Sequence, residues 1–166
     1  VSGSNGTQYD VTVSGGDLAS FNGTVGLNLK SDQNITDVAG NALPNAEPAV
    51  NEIYTVDNVV PSTTSFVRQT PPASPTNADS LVFRATFSEA VANVDTSDFV
   101  VNGATTAAVS NVEEVSGSNG TQYDVTVSGG NLASFNGTVG LNLKPGQNIT
   151  DLAGNALPDA EPAVNE

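Results

Sequence analysis

The chain has 166 residues, with 18 acidic and four basic side chains and a formal net charge of −14 at pH 7. This charge disfavours binding to nucleic acid or to an anionic membrane by simple attraction. Cysteine, histidine, methionine and tryptophan are absent, which removes disulfides, thiol nucleophiles, imidazole bases and the usual zinc ligands. No apolar run approaches the roughly 18 residues that a membrane-spanning helix needs. We therefore expect neither an enzyme nor membrane insertion.

The most informative feature of the sequence is a long internal repeat. Residues 1–52 recur as residues 115–166 with only five substitutions. The substituted pairs are Asp17/Asn131, Ser31/Pro145, Asp32/Gly146, Val38/Leu152 and Asn45/Asp159. The offset of 114 residues, from Val1 to Val115, is the length of a small domain and exceeds that of a solenoid unit. We expect the chain to be part of a longer tandem array, in which neighbouring repeats are partners of each unit.

Alternating apolar and polar residues predict short strands, and clusters of Gly, Asn, Asp, Ser and Pro predict the turns between them. In chain order, the predicted strands are residues 53–56, 63–69, 81–87, 99–101, 106–115, 122–127 and 138–144. No long segment has the 3.6-residue apolar period of a helix. Seven short strands per unit predict an all-β protein made of immunoglobulin-like seven-strand β-sandwich repeats in tandem, with a barrel as the alternative.

The boundary between repeats is predicted within residues 54–61, because Pro61 interrupts regular strand pairing. Residues 1–56 are then the C-terminal half of one immunoglobulin-like repeat, and residues 57–166 are the next repeat without its last strand. Each part should leave sheet edges or apolar faces uncovered. We therefore expect neighbouring copies to supply the missing strands by donation or exchange. The residues of the exchanged strand are Ile53, Tyr54, Thr55 and Val56.

Four motifs in a fixed order carry a resemblance to a known family. They are Asp57-Asn-Val-Val-Pro61, Ala85-Thr-Phe-Ser-Glu-Ala-Val91, Asp98-Phe99 and Asp151-Leu-Ala-Gly-Asn155. Together they resemble the bacterial immunoglobulin-like tandem repeats of large extracellular surface adhesins, of the RTX and Bap type. The resemblance implies a secreted or cell-surface stalk of tandem β-sandwiches, in some members stiffened by calcium at the domain junctions. It identifies no host or surface ligand.

Calcium is the cofactor that the residues themselves favour, because this ion binds six to eight oxygen atoms. In a seven-strand sandwich that the chain enters near residue 57, the connections after residues 81–87 and after residues 138–144 lie at the pole where the chain enters. The predicted ligands at that pole are Asp57, Glu89, Asp95 or Asp98, and Asp151, with Asp37 as the first-copy counterpart of Asp151 and with Asp79 at the opposite pole. The simpler interpretation is that the aspartates close turns or are merely solvated. Glu89 ends a strand, and among these acids it is the one for which we most expect a role beyond solvation.

Six Asn-x-Thr sequons permit N-glycosylation. They lie at Asn5, Asn22, Asn34, Asn119, Asn136 and Asn148. Four of them read Asn-Gly-Thr, which is also typical of a tight turn that leads into a strand, and we favour the turn.

The predicted function is a structural spacer of a secreted or cell-surface bacterial adhesin. Carboxylate pairs such as Asp95 with Asp98 lack the aromatic platform that a glycosidase site would add. The first alternative is a self-assembling extracellular filament or matrix subunit that exchanges strands between chains. The second alternative is a glycan-binding module, which the scarcity of aromatic residues disfavours.

Overall fold

A computed structural model describes residues 2–3 and 5–166 of the chain. Within these residues the structure is rich in β-strands, and its helices are three short 3-10 turns. None of these helices has the length or the apolar content to cross a membrane, in the part of the chain that is described. The chain divides into two compact units, Val1–Asn58 and Val59–Glu166.

The first unit contains little regular structure. A 3-10 turn at Leu18–Ser20 is followed by strand β1, Gly23–Gly26, and later by strand β2, Ile53–Val56. The two strands pair antiparallel, from Gly23 opposite Val56 to Gly26 opposite Ile53. An isolated two-stranded sheet of this size is only marginally stable in water.

The second unit contains the main sheet. Its strands are β3 (Thr63–Thr70), β4 (Ser80–Phe87), β5 (Val91–Ala92), β6 (Phe99–Asn102), β7 (Ala108–Glu114), β8 (Gln122–Ser128), β9 (Gly140–Leu143), β10 (Thr150–Asp151) and β11 (Val164–Asn165). Five of them form one mixed sheet in the order β11-β3-β4-β8-β7, in which β11 is parallel to β3 and the other pairs are antiparallel. Two further antiparallel pairs join β6 to β9 and β5 to β10.

One hydrophobic core fills the second unit. Alternate residues of β4 and β8 point into it, as the period of two in their sequences requires. Phe66 of β3 packs edge-to-face on Phe99 of β6 with ring centroids 5.9 Å apart, which joins the main sheet to the β6–β9 pair. Tyr123 of β8 is also buried, and its hydroxyl donates a hydrogen bond to the carbonyl of Val91 at 2.9 Å.

The β-rich character predicted from the sequence is confirmed. All seven predicted strands are present, with ends that move by up to two residues. The structure adds β1 and the two-residue strands β5, β10 and β11. Strands of two residues are too short to show alternation, so the sequence pattern could not reveal them.

The two copies of the repeated sequence are buried to very different extents. The equivalent apolar pairs are Tyr9/Tyr123, Val11/Val125, Val13/Val127, Leu27/Leu141, Ile35/Ile149 and Leu43/Leu157. The first member of each pair is between 42% and 76% exposed, whereas the second is at most 9% exposed. Because the sequences match, the difference comes from residues 59–114, whose strands cover the second copy.

Candidate metal centre

Asp151 is a nearly fully buried candidate ligand, with 3% of its surface exposed. Its Oδ1 accepts hydrogen bonds from the backbone N–H groups of Ala153 and Asn155, both at 2.8 Å, and its Oδ2 accepts one from Nδ2 of Asn155 at 2.8 Å. Burial raises the pKa of Asp151, but these hydrogen bonds outweigh burial and the net shift is downward. Asp151 is therefore a carboxylate at neutral pH.

Glu89 lies close to Asp151. It is half-buried in the connection between β4 and β5, and β5 is the strand that pairs with β10. One carboxylate oxygen of Glu89 and one of Asp151 lie within 4.8 Å of each other. Two carboxylates at this separation repel each other, and a cation bound between them removes the repulsion. A hard cation such as Ca²⁺ suits this pair because its preferred ligands are carboxylate oxygens.

Asp95 and Asp98 hold a 3-10 turn, Thr96–Asp98, by a reciprocal capping box. Asp95 accepts a hydrogen bond from the backbone N–H of Ser97 at 2.6 Å. Hydrogen bonds from the side chain and the backbone of Ser97 lower the pKa of Asp95. Asp98 is 1% exposed, and its Oδ2 accepts from the backbone N–H of Asp95 at 2.7 Å. Its Oδ1 accepts from the N–H of Asn148 at 3.4 Å, so Asp98 also ties this turn to the connection after β9.

Asp37 repeats the Asp151 turn in the first unit. Its carboxylate accepts hydrogen bonds from the N–H groups of Ala39 and Asn41 at 2.9 and 2.8 Å, and from Nδ2 of Asn41 at 2.8 Å. The bonds from Asn41 lower the pKa of Asp37. The same local sequence therefore forms the same turn in both copies, whether or not the surrounding residues are buried.

The remaining predicted ligands lie apart from the Glu89–Asp151 pair or outside the second unit. Asp79 is exposed in the connection between β3 and β4, and Asp57 is half-buried just after β2 in the first unit. Among the residues that the structure describes, no group of three ligating side chains includes Asp37, Asp79, Asp95 or Asp98. The participation of Asp57 in a calcium site stays a prediction of the sequence.

Asn155 is a residue of this site that was not among the ligands predicted from the sequence. Its side-chain amide donates to Asp151 and also to the carbonyl of Val59, at 3.2 Å. The signal was available in the Asp-x-Ala-Gly-Asn spacing, which occurs in both copies. Gly40 and Gly154 within it have φ values of 90° and 95°, and this backbone conformation favours glycine.

Comparison of the chain with protein-family models, with curated proteins and with solved structures found no match. The resemblance to bacterial immunoglobulin-like repeats therefore rests on four sequence motifs. Three of these motifs contribute Glu89, Asp98 and Asp151. In the second unit Asp98 and Asp151 fix turns through backbone hydrogen bonds.

Proposed function

We propose that the chain is a structural repeat of a long, acidic, extracellular array, which serves as a stalk or spacer of a bacterial surface adhesin. The observation that carries this proposal is the sequence of residues 1–52, repeated at a domain-sized offset as residues 115–166. In the second unit, residues 59–114 and the repeated sequence share one core. Serial repetition of such units is how an elongated spacer is built.

Within this proposal, each complete repeat is an immunoglobulin-like β-sandwich. The five-stranded sheet would be one layer and the β6–β9 pair the core of the other. Support comes from the contact between Phe66 and Phe99, which belong to different sheets, and from the alternating burial of β4, β8 and β9. Facing sheets with interdigitated inner residues are the defining feature of a sandwich.

The array is tested with tandem chains of complete repeats. A complete repeat is made by following residues 59–166 with residues 53–58, which restores the 114-residue period of the sequence. Chains of two, four and six such repeats are compared by small-angle X-ray scattering. The maximum dimension should grow in proportion to the number of repeats, as expected for a stalk. A compact particle whose maximum dimension hardly grows would contradict a spacer function.

Calcium binding at Glu89 and Asp151 is the second part of the proposal. Support comes from the short distance between the two carboxylates and from the burial of Asp151, since a cation between two nearby carboxylates offsets their mutual repulsion. Extracellular calcium modules bind with dissociation constants of roughly 0.1–1 mM. At ten- to a hundredfold excess over such a constant, calcium would stabilise the folded unit by about 1.4–2.7 kcal/mol.

Calcium is tested by thermal unfolding in millimolar calcium and in chelator. The melting temperature of the second unit should rise with calcium, and Glu89→Gln should abolish the rise because it removes one carboxylate and keeps the shape. Asp37→Asn is the matched control, because Asp37 has the same turn as Asp151 in the first unit. It should leave the calcium response of the second unit unchanged. If calcium raised the melting temperatures of the wild-type and Glu89→Gln chains equally, calcium binding at this site would be contradicted.

Self-assembly by strand exchange is a second candidate function, and a specific observation favours it. Ile53 and Tyr54 of β2 are 62% and 81% exposed, although strand residues of this type are usually packed against a neighbour. A strand with exposed apolar side chains and an open edge is a template for pairing with another chain.

A further inference from the structure

The turn between β7 and β8 contains an Asn-Gly pair whose chemistry the spacer function does not use. Asn119 and Gly120 have φ values of 51° and 77°, and the N–H of Thr121 donates to the carbonyl of Ser118 at 3.2 Å. Positive φ at both central residues and this bond define a type I′ turn. The carboxylate of Glu114, the last residue of β7, accepts a hydrogen bond from the N–H of Gly120 at 2.7 Å. A charged acceptor therefore holds the central peptide of the turn.

An Asn-Gly pair can modify itself with water as the only reagent. The nitrogen of Gly120 forms a bond to Cγ of Asn119, the bond from Cγ to Nδ2 breaks, and ammonia leaves with the proton of the Gly120 N–H. Water then opens the resulting five-membered imide on either side, which leaves aspartate or isoaspartate at position 119. Glycine favours the reaction because no Cβ shields its nitrogen, and this chemistry contributes to the thermal lability of asparagine.

Closure of the imide ring requires a particular backbone angle at Asn119. Cβ of Asn119 and the nitrogen of Gly120 both belong to the ring, so they must be nearly eclipsed about the Cα–C bond of Asn119. A type I′ turn has ψ of about +30° at this residue, whereas a type II′ turn has ψ of about −120°. By the tetrahedral geometry at Cα, the two atoms are nearly anti in type I′ and eclipsed in type II′. The observed turn therefore cannot close the ring, and a type II′ turn can.

The two turn types differ by a flip of the peptide plane between Asn119 and Gly120. The flip keeps the bond from Thr121 to Ser118, because both types close with it, and glycine accepts the change in its own φ. Both types also suit a β-hairpin. The flip breaks the bond from Gly120 to Glu114 and turns the carbonyl of Asn119 toward that carboxylate. Glu114 thus stabilises the unreactive turn and repels the reactive one.

We propose that Glu114 is a protecting residue, which prevents self-modification of Asn119 by holding the turn in its unreactive form. Asn119 is then a latent modification site, and loss of Glu114 makes it reactive in the folded chain. The inference goes beyond the spacer function and does not depend on it. The modification matters to the hairpin, because isoaspartate would lengthen the backbone of the turn and add a negative charge near Glu114.

The first experiment follows Asn119 in the full chain at neutral pH and physiological temperature. Peptide mapping by mass spectrometry measures loss of the side-chain amide, and enzymatic methylation of isoaspartate measures the rearranged product. Asn119 should convert at least about tenfold more slowly in the chain than in a synthetic peptide of residues 115–122, because only the folded chain has the charge-assisted hydrogen bond. Equal rates in the chain and in the peptide would overturn the proposal.

Two variants separate the effect of Glu114 from that of the fold in general. Glu114→Ala should raise the conversion rate of Asn119 at least about tenfold. Glu113→Ala, the matched change at the exposed neighbour on β7, should not. Asn102, which precedes Gly103 at the end of β6, is the internal reference, and its rate should be the same in all three chains. An unchanged rate at Asn119 in Glu114→Ala would overturn the proposal.

NMR spectroscopy gives a readout that does not depend on the modification. A type I′ turn brings the amide protons of its two central residues together, and a type II′ turn moves them apart. The nuclear Overhauser effect between the amide protons of Asn119 and Gly120 should therefore be strong in the wild-type chain and weaker in Glu114→Ala, while the signals of β7 and β8 are retained. An effect of unchanged strength, or loss of the hairpin signals as a whole, would overturn the proposal.

Discussion

Leu27 and Leu141 occupy the same position in the two copies of the repeat, yet Leu27 is 51% exposed and Leu141 is completely buried. Truncation of Leu141 to Ala removes buried methyl groups and leaves a cavity, which should lower the free energy of unfolding by about 2–5 kcal/mol. The matched Leu27→Ala change should lower it by less than about 0.5 kcal/mol. Urea denaturation followed by circular dichroism measures both. Equal effects would contradict the difference in burial.

We expect the acid sensitivity of the second unit to depend in part on Asp151. Burial raises the pKa of Asp151, hydrogen bonds from Asn155, Ala153 and Gly154 lower it, and the net result is below its ordinary value of 3.8. A carboxylate with a lowered folded pKa stabilises the protein above its unfolded pKa, and this stabilisation is lost as the pH falls through the folded value. We therefore expect the free energy of unfolding to fall below about pH 4.

The contribution of Asp151 to this fall is isolated by Asp151→Asn, which removes the titrating group. The fall in stability between roughly pH 4 and pH 2 should be shallower in this variant than in the wild-type chain. Asp37→Asn, at the equivalent exposed turn, should leave the acid unfolding of the second unit unchanged. Denaturant titrations at a series of pH values provide the comparison, and identical slopes for wild type and Asp151→Asn would refute the role of Asp151.

Turn residues were among the features that the sequence predicted best. Asn119 and Gly120 both have positive φ values, 51° and 77°, and they lie in the turn between β7 and β8. Asn-Gly favours this backbone because both residues tolerate positive φ. The turn interpretation of Asn119 is confirmed, whereas glycosylation of its sequon stays a prediction.

At the scale of the element, one sequence forms a strand at two different places. Gly-Thr-Val-Gly-Leu-Asn-Leu occurs in both copies; its first four residues form β1 in the first unit, and its last four form β9 in the second. The partner decides which half is a strand, because β1 pairs with β2 whereas β9 pairs with β6. Strand propensity depends on such context. The sequence could therefore predict a strand at residues 138–144 but not where it begins.

Disruption of β2 should abolish β1 alone, and disruption of β6 should abolish β9 alone. Thr55→Pro places a residue without a backbone donor in β2, so the amides of residues 23–26 should exchange faster while the second unit keeps its stability. Val101→Pro is the matched change in β6, and it should destabilise β9 and the core of the second unit. Hydrogen exchange with mass spectrometry reports both. Unchanged protection of residues 23–26 in Thr55→Pro would show that β2 does not set the position of β1.

The candidate site was predictable only in part. The approach of Glu89 to Asp151 was expected from the predicted topology, because the connections that carry them would lie at one pole of the predicted sandwich. The burial of Asp98 was not expected from the sequence, because the side chain lies beside Asn148, which is 50 positions away in the chain. Likewise, β3, β4 and β8 could be predicted from alternation, whereas β11 depends on its parallel pairing with β3.

At the scale of the whole molecule, residues 59–114 decide which copy of the repeated sequence acquires a core. They contribute strands β3 to β7, and these strands cover residues 115–166. Residues 1–52 have nearly the same sequence but expose the equivalent side chains. If the 114-residue repeat is the folding unit of the array, residues 1–52 should fold like residues 115–166 once a segment equivalent to residues 59–114 is joined ahead of them.

Thiol labelling tests this claim most directly, because the chain contains no cysteine and a single Cys is an unambiguous reporter. Val11→Cys and Val125→Cys place it at equivalent positions, which are 61% and 0% exposed. With a second copy of residues 59–114 joined ahead of Val1, labelling of the Val11→Cys chain should slow at least roughly 100-fold, toward the rate of Val125→Cys, because labelling then requires unfolding. A scrambled segment should have no effect. Unchanged labelling of Val11→Cys, with Val125→Cys still protected, would contradict the repeat as the folding unit.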